Sequence, residues 1–298
     1  MNTPLAVTNL TKTFSTHQAL KALSFELPAG RVAGLLGRNG AGKTTLLNLA
    51  CGLLLPTSGT CTTLGRKAGE LDAPELARLG VVFQEGRFLD WMSVRQQLEF
   101  HASFYPKWDE ARESRLLLEL DLNPARKIGQ LSTGDRQKLG IILGVCHHPE
   151  LLLLDEPVSS LDPIARLQML SFLLDLIRED GSTILISSHI LSDVEKVVDW
   201  VVCLDAGQLA ACSPLDELQE GYADWIVTPA DRPLPARFPE SWILAQEGDA
   251  QRRRLKVKPP TPDTQRQFAA QHGVTVEKHY LNLEELFPLL ITQRKAAA

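Results

Sequence analysis

Short apolar runs punctuate this chain, and their lengths predict the strands of a buried sheet. Val32-Ala33-Gly34-Leu35-Leu36, Leu79-Gly80-Val81-Val82-Phe83, Leu151-Leu152-Leu153-Leu154 and Thr183-Ile184-Leu185-Ile186 each span one strand and show little polar alternation, as strands covered on both faces do. Helical spacing falls between them. Residues 44–49 open a helix directly after the first run, and residues 93–122 carry helical periodicity broken at Pro106, with Asp109 placed to cap the next helix. Residues 164–179 put Leu167, Leu170, Leu174 and Ile177 on one inward face before Gly181 ends the helix. Residues 5–27 read instead as short strands joined by polar turns, Pro56-Thr57-Ser58-Gly59 as a turn, and residues 200–210 as a hairpin around Asp205-Ala206-Gly207.

Beyond about residue 218 the pattern changes. Pro229, Pro233, Pro235 and Pro239 mark a loop-rich transition into a second unit, with short strands at Trp225-Ile226-Val227, Trp242-Ile243-Leu244 and Leu255-Lys256-Val257. A helix over 266–272, a strand over 274–276 and a last helix from Leu283 complete it. The expected division is therefore 1–217 and 218–298, with a helical insertion over about 90–145 inside the first part. Arg252-Arg253-Arg254 reads as the solvated side of a hairpin.

Composition narrows the class without naming it. A chain of 298 residues is long enough for one full domain and a smaller one. The net charge of -5 gives no overall basic footprint for nucleic acid or for an anionic membrane surface. The five cysteines are scattered without a C-x-x-C pair, which suits reduced thiols in a cytosolic protein, and Cys146-His147-His148 has no second ligand cluster to make a metal site. Met1-Asn2-Thr3-Pro4-Leu5 lacks the features of a secretion signal. The most apolar stretch, 46–55, is interrupted by Asn48 and Gly52 and is shorter than the ~20 residues that span a bilayer.

The chemistry centres on Gly37-Arg38-Asn39-Gly40-Ala41-Gly42-Lys43-Thr44, which fits G-x-x-x-x-G-K-[ST] at every fixed position and lies between a strand and a helix. Glycines there let the backbone wrap around anionic oxygens, so that successive N–H groups and a helix N-terminus face phosphates. Lys43 would bring a cation to the terminal phosphates and Thr44 a hydroxyl to Mg²⁺, which makes this an expected ATP site. The run 151–154 delivers Asp155-Glu156-Pro157 at a strand end, where open α/β sheets hold ligands, and Ser187-Ser188-His189 ends the next strand at the same edge. Leu131-Ser132-Thr133-Gly134-Asp135-Arg136-Gln137 starts another helix with small polar residues, again suited to an anion. Phe14 fits stacking on a purine as well as ordinary strand packing.

Taken in order, Gly37 to Thr44, Gln84, residues 131–137, Leu153 to Pro157, Ser160-Leu161-Asp162 and His189 resemble the ATP-binding cassette (ABC) family over about residues 5–217. The resemblance implies an α/β phosphate-loop NTPase fold of ABC type, with an N-terminal antiparallel β subdomain, a helical insertion and a small C-terminal α+β domain. It implies that Phe14 stacks on adenine and that Gly37, Arg38, Asn39, Gly40, Ala41, Gly42, Lys43, Thr44 and Thr45 hold the phosphates. It further implies that Thr44, Gln84 and Asp155 serve Mg²⁺, that Glu156 polarises the attacking water, and that His189 contacts the γ-phosphate. Ser132, Thr133, Gly134 and Asp135, with Asp162, would contact nucleotide, the signature segment doing so across a dimer by closing over ATP held by a second subunit.

The family resemblance also implies separate integral membrane subunits, a second cassette that is expected to be an identical copy, and no nucleic-acid partner. The chain would then be peripheral on the cytoplasmic face of a bacterial inner or plasma membrane. Phe104-Tyr105-Pro106-Lys107-Trp108-Asp109 and Leu281-Asn282-Leu283-Glu284-Glu285-Leu286-Phe287 resemble bacterial export-type cassettes, including the antibiotic-linked Ytr-like group. The same ATP-driven clamp serves soluble relatives acting on nucleic acid or ribosomes, but those typically carry paired cassettes, zinc modules or long coiled coils, and none is evident here. The chain departs from the family at Ser132-Thr133-Gly134-Asp135, where Ser-Gly-Gly-Gln is usual, at Phe14 in place of Tyr, and at Val158-Ser159-Ser160 in place of Thr-Ser-Gly.

Overall fold

The computed structural model describes residues 3–297 other than Glu85, Arg87 and Asp162, and the backbone alone over 176–178 and 293–297. The chain divides into two compact units, one ending at Cys212 and one beginning at Ser213. In chain order the first holds β1 (Leu5–Phe14), β2 (His17–Leu27), β3 (Val32–Leu36), α1 (Lys43–Ala50), β4 (Ser58–Thr63), β5 (Arg66–Lys67), α2 (Ala73–Leu76), β6 (Leu79–Val82), α3 (Val94–Ala102), α4 (Glu110–Glu119), α5 (Thr133–Val145), β7 (Leu151–Asp155), α6 (Pro163–Asp180), β8 (Thr183–Ser188), α7 (Leu191–Val194), β9 (Trp200–Asp205) and β10 (Gln208–Pro214).

The apolar runs become the centre of a six-stranded sheet in the order β10-β9-β3-β8-β7-β6, parallel from β9 through to β6. Leu151, Leu152 and Leu153 are fully buried, as expected for a strand with neighbours on both edges and cover on both faces. The N-terminal sheet, ordered β2-β1-β4-β5, differs from the short strands expected over 5–27: β1 and β2 form one long antiparallel hairpin. Kinks, not chain reversals, interrupt it. Asn9 and Ala22 take positive φ of 48° and 50°, and side chains supply acceptors for their amides: Ser24 Oγ accepts from Asn9 N at 2.9 Å and Thr11 Oγ1 from Ala22 N at 3.1 Å. Ser58-Gly59 belongs to β4 rather than to a turn, and Gly59 is obligatory because a Cβ would sit 2.2 Å from Asn9 O. Leu5 and Leu23 from this sheet, Leu46 from α1, and Leu35, Leu153 and Leu185 from the parallel sheet share one core.

The insertion is built from capped helices. Ser93 and Gln96 form a reciprocal capping box at α3, and Asp109 accepts from Arg112 N at 2.8 Å to start α4 after the break at Pro106. A partly exposed ionic cluster built on the buried Arg112 ties α4 to α6: Arg112 donates to both oxygens of Asp180, at 2.6 and 3.0 Å, while His148 lies 2.9 Å from Asp180 and 3.1 Å from Asp109. His147 directs Nε2 to Leu79 O at 3.2 Å, so both histidines of Cys146-His147-His148 are engaged by protein oxygens.

The second unit comprises α8 (Leu215–Gly221), β11 (Ala223–Pro229), β12 (Ile243–Gly248), β13 (Arg253–Val257), α9 (Thr264–His272), β14 (Val274–His279) and α10 (Leu283–Ala297). It starts before the expected position 218 because α8 belongs to it. The strands pair antiparallel in the order β12-β13-β11-β14, and Phe268 of α9 packs against Trp225, Phe238 and Trp242. Arg252 and Arg254 are exposed, as expected for one side of a hairpin, whereas Arg253 between them is buried; Arg254 also pairs with Asp224 and Glu285. The strand register explains this, because Ile226 opposes Arg254 and so brings Asp224 beside it on the same face. Among the described residues no helix is long and apolar enough to cross a membrane.

Candidate nucleotide site

Three strand ends meet at one edge of the parallel sheet. The register pairs Leu36 with Ser188 and Asp155 with Ser187, which brings the loop after β3, the acids after β7 and His189 after β8 level with one another. They surround a cleft of about 430 Å³ lined by Phe14, His17 and Ala19 from the β1–β2 hairpin, Arg38 through Thr45, Gln84, Glu156 and His189. Phe14 is 41% exposed at the hairpin tip, with Lys12 Nζ 5.0 Å from its ring centre, so one wall offers a flat aromatic surface.

The loop owes its path to glycine. Gly42 caps α1 at φ 103°, and a Cβ there would meet Leu20 Cδ2 at 2.5 Å and Ala19 O at 2.8 Å. A left-handed cap with no side chain leaves the first amides of α1 open to an anion. Lys43 is buried, donates from Nζ to Gly37 O at 2.8 Å, and lies 3.7 Å from Glu156 Oε1. The other carboxylate oxygen of Glu156 receives His189 Nδ1–H at 2.8 Å. A cation, a carboxylate and an imidazole thus form one chain along the cleft floor.

Glu156 is held in a conformation that side chains rarely adopt. Its φ is 50°, a left-handed backbone costing ~1–3 kcal/mol outside glycine. Ser187 stabilises it from β8: the hydroxyl accepts from Glu156 N at 2.9 Å and donates to Asp155 Oδ1 at 2.7 Å. Asp155 is buried behind Glu156 and is not on the cleft wall; neither is Gly37, whose carbonyl anchors Lys43. Thr44, Gln84 and Asp155 are all oxygen donors of the kind Mg²⁺ takes, and two of them face the cleft.

The signature segment has a different position. Ser132 caps α5 by accepting from Asp135 N at 3.1 Å, and Asp135 pairs with Arg126 at 3.2 Å and Lys138 at 3.5 Å. Partial burial works against ionisation of Asp135, but the Ser132 hydroxyl and the two cations outweigh it and hold the carboxyl below the usual range. Ser132, Thr133, Gly134 and Asp135 do not line this cleft, and Asp162 lies outside the described residues. Three contributors are not singled out by the sequence as site residues. His17 and Ala19 reach the cleft through the hairpin, for which the only signal is position after Phe14, and Ser187 acts through a strand register that Ser187-Ser188-His189 only hints at.

A glycine-rich loop opening a helix, with carboxylate and imidazole at the same sheet edge, defines a phosphate-loop nucleotide hydrolase. A sequence model of the family described as ABC transporter matches residues 20–159. The bacitracin transport ATP-binding protein BcrA of Bacillus licheniformis is 35% identical over 222 residues, 74% of this chain and 72% of that protein. BcrA of Enterococcus faecalis is 30% identical over 294 residues, covering 95% and 94%. The aliphatic sulfonates import ATP-binding protein SsuB 3 of Pseudomonas syringae is 34% identical over 265 residues, covering 87% and 90%. A solved ATP-binding subunit of an ABC transporter superposes with TM-score 0.65 at 27% identity over 73% of this chain and 92% of its own. The chain belongs to the ABC transporter family as an ATP-binding, ATP-hydrolysing subunit.

Proposed function

We propose that this chain powers an exporter whose membrane-spanning path lies in separate subunits, and that it works as a homodimer on the cytoplasmic face of a bacterial membrane. The observation that carries the catalytic part is the Lys43–Glu156–His189 chain on the cleft floor. Phosphate oxygens arriving at the loop compete with Gly37 O and Glu156 for the Lys43 ammonium, which frees the carboxylate to take a water proton. His189 keeps Glu156 oriented and presents its ring toward the terminal phosphate, while Phe14 stacks on adenine and residues 37–45 hold the phosphates. Thr44, Gln84 and Asp155 would hold Mg²⁺, which when bound neutralises developing charge between the outer phosphates.

The placement of Ser132–Asp135 away from the chain's own cleft supports a role at the cleft of a second copy. ATP would then bridge two subunits, and hydrolysis would remove the contact that holds them closed. An apolar recess of about 460 Å³ lined by Phe83, Phe104, Tyr105 and Leu53 adjoins the strand leading to Gln84, with Phe104 65% and Leu53 61% exposed. That recess suits the cytoplasmic element of a membrane subunit. The export reading rests on the resemblance of residues 104–109 and 281–287 to export-type cassettes; the relatives include a bacitracin transport subunit matched along nearly the whole chain and a sulfonate import subunit matched along most of it. Purification from native membranes in mild detergent tests the assembly: a co-purifying integral protein is expected, whereas recovery of ribosomes or nucleic acid alone would establish the soluble alternative. Reconstituted vesicles with ATP outside, at the cassette face, should accumulate the substrate if the direction is export and lose it if it is import.

A further inference from the structure

We propose that the second unit carries a groove for a basic, extended polypeptide segment supplied by a cytoplasmic loop or tail of the membrane subunit. The identity of that occupant rests on the transporter reading above; the groove itself does not. Its floor includes Trp225, which is 1% exposed and packs edge-on to Trp242 at 5.3 Å and beside Phe268 at 5.6 Å between ring centres. The indole Nε1–H nevertheless has no acceptor among the described residues. A buried donor left unpaired costs ~1–3 kcal/mol, and a phenylalanine at this position would fill an aromatic core without it. Trp225 also lines a groove of about 470 Å³, large enough to admit a ligand that supplies the missing acceptor.

The walls define what that ligand carries. Glu217 and Glu220 stand on the exposed side of α8 at i and i+3, where side chains are neighbours, and neither has an ion pair among the described residues. Pro259 and Pro260 give the opposite wall a rigid apolar surface with no amide N–H to offer. Tyr280 is 67% exposed, and Lys278, which also lines the groove, stands with its ammonium 4.8 Å from that ring, so the lining carries two carboxylates against one cation already held on an aromatic face. A phosphate or an acidic segment would face a lining in which two carboxylates outnumber the one cation, Lys278, and a purely apolar ligand would leave the indole unpaired. A peptide satisfies both needs: a backbone carbonyl accepts from Trp225 Nε1–H, and a Lys or Arg side chain reaches Glu217 and Glu220. Cytoplasmic loops of membrane proteins are enriched in just these cations, which makes them the matching source.

Nitrogen-15 NMR of the full chain reads the site directly, because the indole N–H of Trp225 can be assigned by its loss in Trp225→Phe. Acetyl-Lys-Pro-Arg-amide should shift that signal saturably and acetyl-Glu-Pro-Glu-amide should not. Glu217→Gln with Glu220→Gln should weaken the basic peptide about fivefold, in keeping with two exposed ion pairs, without altering ATP hydrolysis. Tyr280→Ala on the exposed wall provides a second variant that does not disturb the core, and it should also weaken binding. An unmoved indole signal, or equal responses to the two peptides, would mean that the groove holds only solvent. A photo-crosslinker on Glu217→Cys in the detergent-purified complex should then capture the membrane subunit. A membrane protein that co-purifies but never crosslinks from this position overturns the occupant and leaves the transporter reading standing. Absence of any membrane protein overturns that reading together with the occupant, while the peptide titration still decides the groove.

Discussion

Glu156 depends on three neighbours for its position: Lys43 and His189 fix its two carboxylate oxygens, and Ser187 holds its backbone. Glu156→Gln keeps the size and one acceptor but loses the carboxylate, so hydrolysis should fall ~100- to 10,000-fold while ATP still binds. Phosphate-release kinetics measure the first effect. Light scattering after size exclusion should show a longer-lived MgATP-dependent dimer than the wild type forms, and near-normal hydrolysis would require another residue to handle the water. Ser187→Ala removes the hydroxyl that links Asp155 to the Glu156 amide. Small displacements at a reacting centre are costly, so kcat should drop on the order of tenfold to a hundredfold with little change in KM for ATP, and Ser187→Thr should restore much of it. An equal rise in KM would assign Ser187 to binding instead. The loop and the acids are legible because consecutive residues specify them. Ser187 is not, because its role exists only when Asp155 and Ser187 fall opposite each other in two adjacent strands.

At the scale of elements, the insertion is coupled to α6 through charges rather than through a wide apolar contact. Arg112→Ala should destabilise the first unit by ~1–3 kcal/mol, measured by denaturant unfolding, since Asp180 loses its bidentate partner but is partly exposed and keeps His148. A loss under about 1 kcal/mol would show that solvent already screens the cluster. The same cluster predicts acid sensitivity. The Arg112 amide leads in lowering Asp109; at Asp180 burial opposes ionisation, but hydrogen bonds from Arg112 and His148 outweigh it, so both carboxyls sit below their ordinary range. A carboxyl lowered on folding contributes stability fully above its unfolded value and loses it as pH falls through the folded value. Melting temperature should therefore decline below about pH 4, and Asp180→Asn should flatten that decline. Helix caps such as Ser93, Asp109 and Ser132 are readable from local chemistry. The unbroken β1–β2 hairpin is not legible, because polar residues that support a bulge, such as Thr11 and Ser24, look the same as ones that support a chain reversal until the strands are paired.

At the scale of the whole molecule, the ATP cleft belongs to the first unit and Ser132–Asp135 do not line it, so on the dimer proposed above one chain would hold halves of two different sites. This separation allows a form of genetic complementation. Lys43→Ala spoils the cleft but leaves the signature intact, and Ser132→Arg spoils the signature but leaves the cleft intact. Each variant alone should be inactive. In a mixed preparation, the cleft of the second can be closed by the signature of the first, so two silent proteins should regain MgATP-dependent dimers and measurable hydrolysis. If the mixture remains as silent as its parts, each cleft must be completed within its own chain. If activity returns, the loss of either half in one gene copy can be masked by the opposite loss in another.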